Sequence, residues 1–197
     1  MGNNGSSKAL KETRTVWTEV FEWIDCAVLT VMALLLVFTF VFRQVKIDGD
    51  SMNSTLFHNE RVIVSNLFYT PENGDIVVIS SEIYDNVPII KRVIATEGQW
   101  IKIAEGKVYV GDSEDDLHEL NEPYIGGQHT ADIVSNNFYG HYEYPLQVPA
   151  NKVFLLGDNR GVSLDSRTET IGLVDERQIL GKAIYRIYPL DKIGSIY

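Results

Sequence analysis

Apolar residues are distributed along this chain in two unlike regimes. From Cys26 to Phe42 about 17 residues pass without a charge, the lower limit for a helix that spans a bilayer. Ile24 and the indoles of Trp17 and Trp23 lengthen the run towards one interface, where such rings prefer to sit. A buried core helix of this length would show a polar face. A cleaved signal peptide would end in a small-x-small site, whereas this run ends Phe40-Val41-Phe42-Arg43. A retained transmembrane helix is therefore expected over 24–43, behind a mobile polar tail and an interfacial segment over 1–23. Met1-Gly2-Asn3-Asn4-Gly5-Ser6 fits a myristoylation pattern, but a spanning helix makes a lipid anchor unnecessary.

From residue 44 the period shortens to two. β-Branched runs recur between turn residues at 61–64, 75–79, 87–94, 99–103, 107–110, 152–156 and 183–188, with a shorter alternation at Val45 and Ile47. Glu105-Gly106 reads as a tight hairpin turn between two of them. There is no long helical pattern and no internal repeat. The fold class expected is mainly β: an N-terminal transmembrane helix followed by an antiparallel β-sheet domain over 44–197. Residues 111–149 break the texture. They are acidic at Asp112, Glu114, Asp115, Asp116 and Glu119, then rich in Gly, Asn, Tyr and His, which predicts an inserted loop-rich section. The acidic run lacks the glycine and closing glutamate of a calcium loop and reads as a solvated face. Phe68, Tyr69, Trp100, Tyr142 and Tyr144 are expected in the core rather than at lipid.

Composition narrows the picture further. The 197 residues suit one domain plus an appendage, and a net charge of −10 repels phosphate, so no nucleic-acid partner is expected. The single cysteine, Cys26, excludes an internal disulfide and a cysteine-rich metal site, and no cofactor or metal is expected. Lys8, Lys11 and Arg14 before the helix, against Arg43 and Lys46 after it, give a thin bias towards a cytoplasmic N-terminus.

Three stretches could carry chemistry. Ser51 lies in Asp48-Gly49-Asp50-Ser51-Met52, a turn signal with a hydroxyl just past a short strand; alone, such a serine usually caps or bonds locally. Lys91 shares a strand face with Ile89 and Val93, although a lone lysine there often guards a sheet edge. Gly157-Asp158-Asn159-Arg160-Gly161-Val162-Ser163-Leu164-Asp165-Ser166-Arg167 follows an apolar strand and gathers two aspartates, two arginines and two serines. Such density predicts a rigid polar platform.

In order, the span, Gly49 to Leu56, Gly74 to Val78, Lys91 to Ile94 and Gly157 to Arg167 resemble the type I signal peptidases, in their short single-span form. The resemblance implies a membrane-bound serine endopeptidase that removes signal peptides from exported preproteins after small residues, at Ala-x-Ala-like sites. It implies Ser51 as nucleophile and Lys91 as general base. Ser163 would hydrogen-bond the lysine, Asp165 and Arg167 would brace the site by an ion pair, and Asp158 would support it. Ile47, Met52, Leu56 and Ile90 would line shallow apolar pockets. The family usually has proline where this chain has Ser54, which makes the turn after Met52 less rigid. The family's Gly-Asp after the lysine box is Gly98-Gln99 here, expected to be structural only. Gly49 stands where some relatives carry an oxyanion-assisting serine, leaving backbone N–H groups such as that of Ser51.

The chemistry stands without the family. Serine needs a base, and lysine serves only when uncharged. Lowering its pKa from ~10.4 to about 8 requires roughly 3 kcal/mol, within reach of burial among isoleucines and valines. Ser51 lies about nine residues past Phe42, and at ~3.3 to 3.6 Å per residue it cannot be far from the bilayer. A peptide emerging from the membrane is the natural substrate, bound as an added strand, with the β-domain extracytoplasmic. Two rivals remain: a Ser-His-Asp hydrolase using His58, His118, His129 or His141, and a non-catalytic tethered β-domain assisting assembly of surface proteins.

Overall fold

The computed structural model describes residues 4–80, 87–130 and 142–197. Gly2 and Asn3 of the myristoylation pattern, and His141, lie outside them. The chain forms two compact units, Met1–Phe42 and Arg43–Tyr197.

The first unit is one helix, α1 (Asn4–Val41). It starts well inside the tail expected to be mobile. Lys8-Ala9-Leu10-Lys11-Glu12 are good helix formers, and extending an existing helix costs far less than nucleating one. The part long and apolar enough to cross a membrane is Val16–Thr39, with a mean hydropathy of 2.2 and none of it buried. The helix also stops two residues short of the expected 43, because Phe42–Lys46 is already a strand, β1.

The second unit is mainly β. Its larger sheet runs in the order β1, β2 (Arg61–Ser65), β11 (Ile179–Tyr188), β3 (Ile76–Ile79), β4 (Ile89–Ala95), β9 (Lys152–Leu156) and β10 (Val174–Asp175), with β12 (Gly194–Ser195) paired to β11. A second sheet is ordered β7 (His118–Glu119), β6 (Lys107–Gly111), β5 (Trp100–Ala104) and β8 (Leu146–Gln147). Every pairing with a described register is antiparallel. The seven runs read from the sequence coincide with β2, β3, β4, β5, β6, β9 and β11. Sheet membership was not readable. The insertion begins before β5 rather than at Gly111, since β5 and β6 alternate like the strands of the main sheet yet, among the described residues, pair only with each other, β7 and β8. Periodicity reports a half-buried face, not which sheet owns it.

Glu105 and Gly106 both adopt positive φ, 53° and 80°, between Ala104 and its cross-strand partner Lys107, as a two-residue hairpin turn requires. Gln99 is structural: its side-chain oxygen accepts from the N–H of Thr96 at 3.0 Å and closes the turn into β5. Phe68, expected in the core, is 97 % exposed, in the loop after β2 at a φ of 49°.

The core lies in three clusters. Ile47, Met52, Leu56, Val62, Ile76, Val78 and Ile90 pack on one side of the main sheet, and Val77, Ile79, Val93, Val153 and Leu155 on the other. The third joins the sheets: Ile94, Phe154 and Leu156 meet Ile101, Ile103, Val108 and Val110. Phe154 is fully buried there, its ring 6.4 Å from that of Tyr142. Phe154→Ala is expected to lower the unfolding free energy by about 3–5 kcal/mol, read from denaturant unfolding of the full chain in detergent.

Candidate active site

Ser51 sits in the turn that follows β1, introduced by Gly49 at φ 89°, a conformation glycine adopts without strain. The turn is wound on itself: the N–H of Asn53 donates to Asp50 O at 3.2 Å, and those of Thr55 and Leu56 to Met52 O at 2.8 and 2.9 Å. Met52 and Leu56 anchor it by burying their side chains in the core beneath.

Lys91 lies in the middle of β4, between β3 and β9, with Val77 as its partner across the β3 ladder. It is no edge lysine. Only 3 % of it is exposed, and its Nζ stands 2.9 Å from Ser51 Oγ and donates to Ile90 O at 3.1 Å. Burial disfavours the ammonium and pulls the lysine pKa from 10.5 to about 8, against the pull of Asp165 and Asp158 in the other direction, with a smaller lowering by Arg167.

Both aspartates are already committed. Asp165 takes a bidentate pair from Arg167, 2.8 Å from Nε and 2.9 Å from Nη2, and accepts the Gly157 N–H at 3.1 Å, all fully buried. Asp158 takes an equivalent fork from Arg92, 2.8 Å from Nε and 2.7 Å from Nη2, and also accepts from the Thr55 hydroxyl. The 157–168 segment is thus the rigid platform its composition announces: Arg167 donates onward to Arg160 O at 2.9 Å, and the Ser166 hydroxyl accepts the Leu155 N–H at 2.9 Å.

The other expected site residues are placed variously. Ser163 is fully buried beside Gly157, but its hydroxyl makes no hydrogen bond to the lysine or to any other described group. Ile47 and Ile90 line a groove of about 620 Å³ together with Val45, Gly49, Ser51 and Lys91. Met52 and Leu56 do not; they face the core. Among the histidines, His58 Nδ1 accepts the Gly49 N–H at 3.2 Å and lies 3.2 Å from Asp48. His118 faces Asp116 and His129 abuts Gly106, so among the described residues no histidine is bonded to the Ser51 hydroxyl.

Sequence reasoning passed over Arg92 and its surroundings. The guanidinium lies 3.8 Å from the centre of the Tyr124 ring, and Tyr124 O–H donates to Glu122, which also pairs with buried Arg160. An arginine inside an apolar strand requires a buried carboxylate, and that rule applied to Arg92 would have pointed to Asp158.

Gly157 shows how closely the platform approaches the serine turn. A methyl group there would stand 2.5 Å from the Ser51 carbonyl oxygen and nearer still to the Ser163 hydroxyl. Gly157→Ala is expected to force the two loops apart and destabilise the domain by about 1–3 kcal/mol, seen as a lower unfolding midpoint than the wild type under matched conditions.

Residues 20–188 match the family model described as signal peptidase, peptidase S26. The chain is 33% identical over 183 residues to signal peptidase I S of Bacillus subtilis, covering 88% of this chain and 92% of that one. It is 32% identical over 185 residues to signal peptidase IB of Staphylococcus aureus, with the same coverage of each, 88% and 92%. A crystal structure of a signal peptidase I from Enterococcus faecalis superposes with a TM-score of 0.42 at 25% identity, covering 58% of this chain and 97% of that one. With the family model and the relatives each spanning most of its length, the chain belongs to the peptidase S26 signal peptidases and is a type I signal peptidase, a serine peptidase.

Proposed function

We propose that this enzyme removes signal peptides from exported preproteins by a Ser51–Lys91 dyad, cleaving after small residues at Ala-x-Ala-like sites. The observation that carries the reading is the 2.9 Å approach of a nearly solvent-free amine to the serine hydroxyl. The uncharged Nζ accepts the Ser51 proton as Oγ attacks the scissile carbonyl carbon. The resulting ammonium returns that proton to the leaving nitrogen as the C–N bond breaks, and an ester to Ser51 remains. Water then adds to the ester with Lys91 again taking the proton, and the Ser51–acyl bond breaks with the proton restored to Oγ. The oxyanion is met by the Ser51 backbone N–H, which donates to no group among the described residues.

Asp165–Arg167 and Asp158–Arg92 act by holding the platform and the serine turn in register with β4. The substrate lies extended in the groove between residues 45–50 and 87–90, adding a strand beside β1, with Ile47 and Ile90 as apolar walls. A signal peptide offers such a strand where it leaves the lipid. The helix over Val16–Thr39 anchors the enzyme in the cell membrane with a cytoplasmic N-terminus, as the basic residues ahead of it favour, and the β-domain is extracytoplasmic.

Incubating the full chain in detergent with a preprotein should yield the shortened product, and Ser51→Ala and Lys91→Ala should each abolish it while retaining a cooperative unfolding transition. Full processing by either variant would remove the mechanism. Because the base is active only when unprotonated, kcat/KM should rise about tenfold per pH unit below the lysine pKa and level off above about 8. A profile flat from pH 6 to 9 would instead point to a base of lower pKa.

A further inference from the structure

On its platform side the Ser51 turn is gripped by Asn159. Its side-chain Nδ2 donates to Asp50 O at 3.1 Å, and its backbone N–H donates to Ser51 O at 3.0 Å. These two carbonyls belong to the peptide planes on either side of Ser51. Each plane is rigid, so the φ and ψ of Ser51 are the only soft rotations between them. Holding both carbonyls fixes both rotations, and with them the direction in which Cβ and Oγ leave the backbone.

The upstream plane carries a second consequence. In a trans peptide the C=O and N–H point in opposite directions, and the Asp50–Ser51 bond is not among the cis bonds of the chain. A donor pulling on Asp50 O therefore sets the aim of the Ser51 N–H on the opposite edge. Among the described residues Asp50 O accepts one other hydrogen bond, from the Asn53 N–H at 3.2 Å within the same turn. Asn159 is the donor that ties this plane to something outside the turn. It is itself well held: its carbonyl accepts the N–H groups of Val162 and Ser163 at 3.2 and 3.0 Å, and it follows Asp158, which is locked to Arg92. Half-buried, it lines the groove beside Asp50, Ser51 and Lys91.

We infer that Asn159 is a positioning residue for the oxyanion donor, its side-chain amide orienting the Asp50–Ser51 peptide so that the Ser51 N–H meets the developing oxyanion. The inference rests on the proposed Ser51–Lys91 mechanism. In this scheme Asn159 handles neither the transferred proton nor the scissile carbonyl; its effect passes through the peptide plane. A donor mis-aimed by even a fraction of an ångström matters more to a tetrahedral oxyanion than to the planar ground-state carbonyl, so the loss belongs to kcat rather than KM.

The test uses full-length Asn159→Ala and Asn159→Leu in detergent, with a signal-peptide-derived substrate and a peptide aldehyde that adds to the serine to give a tetrahedral adduct. The backbone hydrogen bond to Ser51 O survives in both variants, and the leucine fills the space of the amide without donating. Both should lose about tenfold in kcat with KM within twofold, the aldehyde Ki should rise by the same factor, and the pH midpoint near 8 should stay in place. An unchanged kcat in either variant would overturn the inference, as would a loss confined to KM or an aldehyde Ki that does not follow kcat. Should one variant unfold, the other decides by the same criteria. Ser51→Ala and Lys91→Ala run alongside: processing by either defeats the dyad itself, whereas their inactivity beside a fully active Asn159 variant defeats only the role given to the asparagine.

Discussion

A lysine amine stripped of water, 2.9 Å from a serine hydroxyl, is the constraint the β-domain answers to. The displacement of its pKa from 10.5 to about 8 corresponds to roughly 3 kcal/mol of disfavour towards the charged form. Since the folded chain binds this proton less readily than the unfolded one, Lys91 weakens the fold in full below pH 8. The handicap fades as pH rises through the interval to 10.5. Packing must offset it, and β4 lies between β3 and β9 with apolar clusters on both faces. A lysine at a frayed edge would keep its water and its charge.

The same constraint explains why the neighbouring carboxylates are doubly forked to arginines. Asp165 and Asp158 both favour the ammonium, and left unpaired they would return the lysine towards its ordinary pKa. Arg167 and Arg92 absorb that negative charge while tying each aspartate to one place. Burial of these pairs is itself costly unless every polar atom is used. Asp165 accordingly also takes the Gly157 N–H, and Asp158 the Thr55 hydroxyl. What these interactions achieve is position: Asp158 bonds Thr55 in the serine turn, and Asp165 holds the glycine that the turn packs against.

Much of this was legible in the chain, and the division between what was and was not is physical. Strands announce themselves because alternation is local, so seven runs were readable from Arg61 to Tyr188. The hairpin at Glu105-Gly106 was readable because only a few residues tolerate positive φ. The 157–167 platform stood out by its density of short polar and charged side chains, whereas Ser51 and Lys91, each ordinary on its own, were singled out by the family resemblance. Long-range matters did not. Nothing within β5 says that it leaves the main sheet, nothing in Met52 or Leu56 says that the turn faces them inward, and Arg92 looks like a companion to Lys91 until Asp158 is placed beside it. Those facts depend on partners tens of residues away, while the pattern of a strand depends only on its neighbours.

Ser54 shows how the insertion enters this economy. Proline at that position would stiffen the serine turn covalently, by fixing φ and reducing the freedom of the unfolded chain. Here the turn is held instead from outside: the Ser54 hydroxyl donates to the carbonyl of Tyr124, in the 3-10 turn Pro123–Ile125. The Tyr124 ring covers Arg92, and Glu122, which caps the same turn, pairs with Arg160, whose Nε reaches Gly157 O at 3.1 Å. The turn of the insertion thus touches the serine loop, the lysine strand and the platform at once. What Ser54 adds to the turn is this contact. A segment that reads in the sequence as a loop-rich interruption therefore belongs to the apparatus that keeps Ser51 in line with Lys91.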